Sequence, residues 1–458
     1  MVKSILNTFA NCFKIPELKE RIVFTLVVLA LCRVVSMIPI PGLNGHALAE
    51  FFKSNAQSSE GLLGMYSMFT GGALERCAVG SLGIMPYISA TIIIQLLSAV
   101  IPTLSKLARE EGGRAKIIQY GRFLTVLLCL GQGWVMSVGW ENPEKILSGF
   151  QGVLVQSDNI WWYRIQTTVV LTTGTLLLMW LGEQITERGI GNGISLVITV
   201  GIMARMPQAL QAMYEMFVPP AGTEARFTVF HGIALVLLLL GVVAGVIAVT
   251  QAQRKIPVQY AQRAVGRKIV PGGSSFMPLR VNYAGVMPII FAQAILMFPE
   301  KIFYTLGKSM GVPFFEEIAR KLTHGAPVYL LLEGLMILFF SYFWVATQFN
   351  ELQISDDLKK YGGYIPGVRP GAATSDFLHH AMSRITLAGA VFLALIAVLP
   401  TIMAQKWNIN FAVAQFFGGT SILITVGVML DTMRQMESHL LMRHYDGFLK
   451  KGRIKGRF

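Results

Sequence analysis

Ten stretches near 20–38, 79–101, 117–139, 160–181, 191–210, 230–250, 284–306, 326–349, 384–404 and 412–432 are apolar and nearly free of formal charge. At about twenty residues each, they are long enough to cross a hydrocarbon core of about 30 Å as α-helices. In lipid every backbone N–H and C=O must find its partner within the protein, which for single segments of this length means helix. The expected fold is an all-α polytopic membrane protein with ten transmembrane helices. The 458 residues are 53% hydrophobic and 14% charged, too apolar for one soluble globule.

An even number of spans puts both termini on one side, and the basic residues say which. The N-terminus, the loops at 102–122, 182–190, 254–280 and 350–384, and the C-terminal tail hold 27 Lys and Arg, against 10 in the opposite set of loops. Basic residues mark the cytoplasmic face, so both termini are expected there, and most of the net charge of +14 is a topological signal. No short apolar core followed by a small-residue cleavage site opens the chain, so the first span is expected to stay attached. The four cysteines, Cys12, Cys32, Cys77 and Cys129, stand singly without CxxC spacing, giving neither a zinc site nor a redox pair.

Residues 61–101 change character midway. The part up to Ala78 is broken by Gly64, Gly71 and Gly72 and carries Glu75 and Arg76, so it is too short and polar to span and reads as a re-entrant element. Val79 to Ile101 follows without a formal charge and reads as a full span. Irregular backbone at membrane depth is tolerated where protein buries it or it lines a water-filled cavity, which points to an enclosed path through the membrane.

The chemistry of other classes is missing. ITERGIGNGIS at 185–195 lacks the GxGxxG spacing and a βαβ context, and reads as a tight glycine turn between two spans. His379 and His380 are adjacent, do not face each other on a helix, and read as polar loop residues instead of metal ligands. An ion-coupled transporter needs ionisable residues near the bilayer centre. Here Arg33 lies toward the outer end of its span, where it can snorkel, and Glu333 lies in the first third of the eighth. Neither makes a relay. No HExxH, GxSxG or embedded Asp pair supports catalysis, and no metal or cofactor is expected.

Among uncharged groups, Gln95 and Asn282 mark either helix packing or a seam that opens. Ile84 with Ile88, and Ile194 with Ile198, are four apart and share a helical face. Such spacing is common by chance in an apolar chain, yet an apolar neck would suit a channel that passes a bulky solute and blocks ions. The loops 251–283 and 350–384 exceed what a connection needs, and read either as solvated loops or as docking surfaces for a ribonucleoprotein or an acidic protein.

Seven blocks resemble the SecY family, the central subunit of the bacterial protein-conducting channel. They are IPIPG at 38–42, GGALER at 71–76, LGIMPYISATIIIQLL at 82–97, MWLGEQITERGIGNGIS at 179–195, AGVMPIIFA at 284–292, YIPGVRPG at 364–371 and FGGTSILI at 417–424. The resemblance implies two pseudo-symmetric halves of five spans, 1–205 and 206–433, around an hourglass pore, with a basic cytoplasmic tail at 434–458. It makes about 61–78 a plug containing Gly71, Gly72, Ala73, Leu74, Glu75 and Arg76. The pore ring becomes Ile84, Ile88, Ile194, Ile198, Ile290 and Ile424. Gln95 and Asn282 fall at a lateral gate between the second and seventh spans, while Arg267, Lys268 and Arg369 fall in the docking loops. Implied partners are the small subunits SecE and SecG, the SecA ATPase, the ribosome, signal sequences, nascent chains and membrane lipids, without sequence-specific nucleic-acid binding. The implied location is the bacterial inner membrane. The chain departs from the family pattern in QAQRKIPVQYAQ at 251–262, where many relatives carry Glu and Arg, and 140–160 and 206–229 follow no clear pattern.

Overall fold

The computed structural model describes residues 15–54, 66–67, 69–110, 112–143, 150, 152–157, 159–218, 229–260, 263–265, 268–270, 273–323, 325–407, 409, 413–414, 416 and 420–451. Contacts divide the chain into two compact units, Met1–Met213 with Val428–Phe458, and Tyr214–Gly427. The division differs from an even split of five and five spans, because residues from Val428 onward group with the N-terminal unit.

In the first unit, α1 (Pro16–Val35) starts with proline in its first turn, where the missing N–H costs nothing. Then come α2 (Gly45–Ser54), a 3₁₀ turn at Leu74–Arg76, α3 (Met85–Val100) and the short α4 (Pro102–Arg109). The long helices α5 (Gly113–Glu141) and α6 (Ile160–Arg188) pack against each other. Bidentate ion pairs tie them at both ends, Arg122 to Glu183 at 3.0 and 2.8 Å, and Arg164 to Glu141 at 2.6 and 2.8 Å. Along α5 the two clamps are about 19 residues apart, ~28 Å of helix, close to the ~30 Å of a hydrocarbon core. The Arg164 guanidinium also lies 5.1 Å from the ring centre of Trp161, an arrangement suited to the headgroup level.

The 185–195 turn is built as its glycines suggest. The Asn192 side chain caps α7 (Gly193–Met203) by accepting from Ile194 N at 3.1 Å and Ser195 N at 3.3 Å. At Gly193 a Cβ would stand 1.8 Å from the Gly182 carbonyl oxygen, so only glycine lets α7 approach α6 this closely. A two-residue break follows, then α8 (Met206–Phe217).

The second unit opens with α9 (Val229–Gln251), which leads into an element absent from the all-helical expectation. Strand β1 (Gln253–Tyr260) and the small pair β2 (Arg263–Val265) and β3 (Lys268–Val270) precede β4 (Ser274–Arg280), which pairs antiparallel with β1 in register Gln253↔Arg280 to Gln259↔Ser274. Next are α10 (Met287–Met310), α11 (Pro313–Lys321), α12 (Pro327–Gln348), α13 (Glu351–Lys360), β5 (Gly363–Tyr364), α14 (Ala372–Lys406) and α15 (Thr420–Lys451). β5 joins the other edge of β1 through Gln259↔Tyr364 and Tyr260↔Gly363, so the two long loops share one three-stranded sheet. Ile256, Val258 and Leu279 on its inner face are buried with Val345, Phe349, Leu378 and Met382 on α12 and its exit and on α14. That burial, about 1.5–3 kcal/mol for each fully buried aliphatic side chain, fixes the sheet on the helix ends.

Six helical stretches are long and apolar enough to cross a membrane, within Ala115–Glu141, Ile160–Arg188, Gly193–Phe217, Phe230–Gln251, Pro327–Lys360 and Ala372–Met403, and two shorter apolar ones are Met85–Ser98 and Met287–Leu296. These match eight of the ten expected spans. The first and last, α1 and α15, are helical too, but each carries several charges, Glu17, Lys19, Glu20, Arg21 and Arg33 in the one and Asp431, Arg434 and Glu437 in the other. His379 and His380 are corrected from loop to helix, since α14 begins at Ala372. His379 Nδ1 lies 3.0 Å from the Glu351 carboxylate.

Candidate functional site

The segment from Tyr66 to Ile84 does not span; it folds back on the first unit. Of the expected plug, 61–65 and Met68 lie outside the described residues. The rest is held by its own short-range bonds. Gly72 N donates to the Ser67 carbonyl at 2.8 Å, Ala78 N to the Ala73 carbonyl at 3.0 Å, and Tyr66 Oη to the Leu82 carbonyl at 3.0 Å. Two backbone bonds staple it to the end of the first span, Ile40 N to the Cys77 carbonyl at 2.9 Å and Val79 N to the Ile38 carbonyl at 2.8 Å. Ala73, Leu74, Cys77 and Ala78 are all but fully buried. Leu74 and Cys77 join a core with Ile40, Leu48, Leu154 and Tyr163.

Two arginines that the sequence places inside spans reach this segment. Arg33, in the last turn of α1, donates to the Gly71 carbonyl at 3.1 Å. It does not snorkel to the interface; it is tied to the re-entrant loop. Arg205, between α7 and α8, forms an ion pair with Glu75 and donates to Ser67 Oγ, which itself donates to Glu75 Oε1 at 3.0 Å. Gly71 has φ +63°, and a Cβ there would meet the Arg33 guanidinium and the Gly201 backbone, so glycine is required both for the turn and for the approach to α7. Beneath the loop a cavity of about 20 Å³, room for one water, is lined by residues including Arg33, Ser36, Thr70, Gly83, Ile84 and Gly201. Arg33 and Arg205 escaped sequence reasoning as anchors of this segment because their partners are 38 to 138 residues away.

The isoleucines fall into the two units. Ile84 is the N-cap of α3 and Ile88 follows one turn on; Ile194 and Ile198 lie on α7. Ile84, Ile88 and Ile198 are buried and Ile194 half-buried. In the second unit Ile290 on α10 and Ile424 on α15 are 1% and 0% exposed. Their helices meet through Gln293 Nε2, which donates to Thr420 Oγ1 at 2.6 Å.

Gln95 is half-buried on α3, its Oε1 without a hydrogen-bond partner among the described residues. Asn282 precedes α10 and donates to the Gly285 carbonyl at 2.9 Å. Arg369 is exposed in the turn between β5 and α14, its carbonyl accepting from Thr374 Oγ1 at 2.9 Å. Arg267 lies outside the described residues, and Lys268 starts β3. Among the described residues no cluster of three metal-ligating side chains occurs.

A re-entrant segment folded among membrane helices, with a polar sheet built onto their ends, defines a polytopic membrane protein of the channel class. The same fold recurs in solved structures. A protein-conducting channel aligns with TM-score 0.58 and 20% identity, covering 91% of each chain. A SecY channel studied for its plug domain gives 0.58 and 21%, again over 91% of each. Sec61 from a canine ribosome–channel complex gives 0.56 and 19% over 91% of each. The SecY family model matches residues 78–433. The protein translocase subunit SecY of Chlamydia trachomatis serovar D is 41% identical over 456 residues, 98% of this chain and 99% of that one. Its counterparts are also 41% identical, in Thermotoga maritima over 98% and 99%, and in Vibrio cholerae over 96% of each chain. The chain belongs to the SecY family, whose members are translocase channel subunits and not enzymes.

Proposed function

We infer that the chain is a passive protein-conducting channel that passes unfolded secretory polypeptides across a bacterial inner membrane and releases apolar segments sideways into the bilayer. The observation that carries this reading is the re-entrant segment 66–83, tied by Arg33 in the last turn of α1 and by Arg205 just after α7, next to Ile84. A segment held by short-range bonds, two arginines and a few buried side chains, instead of by a continuous helix, is suited to closing a path and leaving it.

On this reading spans one to five (1–205) and six to ten (206–433) are pseudo-symmetric halves, followed by the tail at 434–458. Ile84, Ile88, Ile194, Ile198, Ile290 and Ile424 form a dewetted ring that blocks ions. Gln95 and Asn282 tune a lateral gate, where an apolar signal sequence opens the channel by binding the open state better than the closed one. Arg267, Lys268 and Arg369 dock the energy source, a ribosome or the SecA motor, and SecE and SecG complete the complex in the membrane. Sharing of one sheet by both loops supports a single docking surface. Further drive comes from the membrane potential, ~2.3 kcal/mol per charge per 100 mV. Both termini are cytoplasmic, in keeping with the distribution of Lys and Arg.

The test is reconstitution of the purified chain with SecE, SecG and SecA in vesicles. ATP-dependent, protease-protected uptake of an unfolded signal-bearing precursor is expected. Saturable uptake of a small solute with no polypeptide transport would return the chain to the secondary transporters.

A further inference from the structure

Away from the plug, the second unit buries a polar cluster to which nothing above gives a role. Glu333, in the second turn of α12, is 0% exposed, and Gln293 on α10 is 1% exposed. Gln293 Nε2 donates to Glu333 Oε1 at 3.3 Å and to Thr420 Oγ1 at 2.6 Å. The remaining oxygens, Glu333 Oε2 and Gln293 Oε1, are both buried without a hydrogen-bond partner among the described residues. The titratable neighbour is Tyr329, one turn earlier on α12, which also interacts with Glu300 of α10. Among the described residues no Lys, Arg or His pairs with Glu333.

An ionised carboxylate in such a place is an uncompensated buried charge, and it leaves two acceptors with nothing to accept. One proton answers both problems. Placed on Glu333 Oε2, it neutralises the group and supplies the donor that Gln293 Oε1 lacks. The two side chains then close a ring, amide N–H to carboxyl oxygen and acid O–H to amide oxygen, while the second amide N–H serves Thr420. Every hydrogen-bonding group of Gln293 is used. We propose that Glu333 is held as the neutral acid in a cyclic acid–amide pair with Gln293, pinning α10, α12 and the start of α15 together. Gln293 lies three residues after Ile290, and Thr420 four before Ile424, so each shares a helix face with one of these isoleucines. Glu333 is thus a positioning residue for both. That consequence rests on the ring reading above; the protonation does not.

Infrared difference spectra of the reconstituted complex at neutral pH, wild type minus Glu333→Gln, test the pair. The expected result is loss of a deuterium-sensitive band from a hydrogen-bonded carboxylic acid C=O. Loss of a carboxylate band instead overturns the proposal. Gln293→Leu keeps Glu333 and should move its C=O band to higher wavenumber, and an unmoved band overturns the pairing whether or not the Glu333 variant folds. Gln293→Leu should also raise the resting ion leak, whereas Glu333→Gln, which preserves a two-bonded ring, should not. A shifted band with unchanged leak overturns the positioning role alone.

Discussion

Arg205 and Glu75, 130 residues apart in the sequence, are joined in an ion pair at the re-entrant segment, with side chains only 17% and 15% exposed. Among the described residues Glu75 brings a carboxylate to a site of three arginines, since Arg33 feels the charges of both Arg76 and Arg205. Its negative charge offsets mutual repulsion among cations that hold the loop.

That imbalance makes the two partners unequal. Glu75→Gln removes the carboxylate that pairs with Arg205 and keeps all three arginines, whereas Arg205→Gln removes one cation and keeps Glu75. Both substitutions should loosen the plug, by on the order of 1–3 kcal/mol for a pair between the exposed and fully buried limits. Glu75→Gln should do more, raising resting ion conductance in planar bilayers and relaxing signal-sequence selection. Equal conductance in wild type and both variants would remove the latch from the account.

Gly71 offers a test that leaves the charges alone. Its φ of +63° and the nearness of the Gly201 Cα, 3.0 Å from where a Cβ would be, mean that Gly71→Ala strains the turn and pushes it off α7. A strained left-handed residue costs about 1–3 kcal/mol. The variant should resemble Glu75→Gln in leak while global thermal unfolding changes little, because Gly71 itself is not among the residues buried in the core that Leu74 and Cys77 join. Cysteine crosslinking of the plug to α7, efficient in the wild type, should fall; unchanged crosslinking would contradict the close approach.

Much of this was legible in the chain itself, for reasons that are local. Span length and charge-poverty depend on neighbouring residues, so α5, α9 and α12 were foreseen to within about four residues, while α6 runs on past its expected end to Arg188 and α14 starts at Ala372, well before the expected 384; Gly71, Gly72 and Glu75 disqualified 61–78 as a span. Arg33 and Arg205 were not legible as plug ligands. A lone arginine near a span end looks the same whether it snorkels or meets a carbonyl 38 residues away, and only folding reveals which. The sheet was missed for a related reason. The alternation of Ile256 and Val258 is too short to outweigh Arg254, Lys255 and the polar residues around it, and β1 is held by partners at 274–280 and 363–364.

Arg369 projects from the turn after that sheet, with an exposed side chain. Reversing its charge by Arg369→Glu should therefore leave stability within about 0.5 kcal/mol, as for other surface substitutions. Docking on an anionic or acidic partner should suffer, and the difference from wild type should narrow as salt rises and screens the reversed charge. SecA-dependent precursor uptake at wild-type rates in inverted vesicles would refute a docking role.

The ring makes the last prediction, and its control lies in side-chain polarity. Ile84 and Ile290 are 2% and 1% exposed, so any shortening opens space: Ile→Val costs about 0.5–1.5 kcal/mol, and larger truncations more. If the resting seal depended on filled volume, Val at both positions would leak. If it depends on an apolar neck from which water withdraws, Val at both positions should stay tight and Asn should leak, because polar groups let water persist in the constriction. Ion conductance of reconstituted double variants, with precursor uptake measured on the same preparations to certify folding, separates the two. Leak in the Val pair equal to that in the Asn pair would sink the dewetting explanation, and tightness in both would sink the ring.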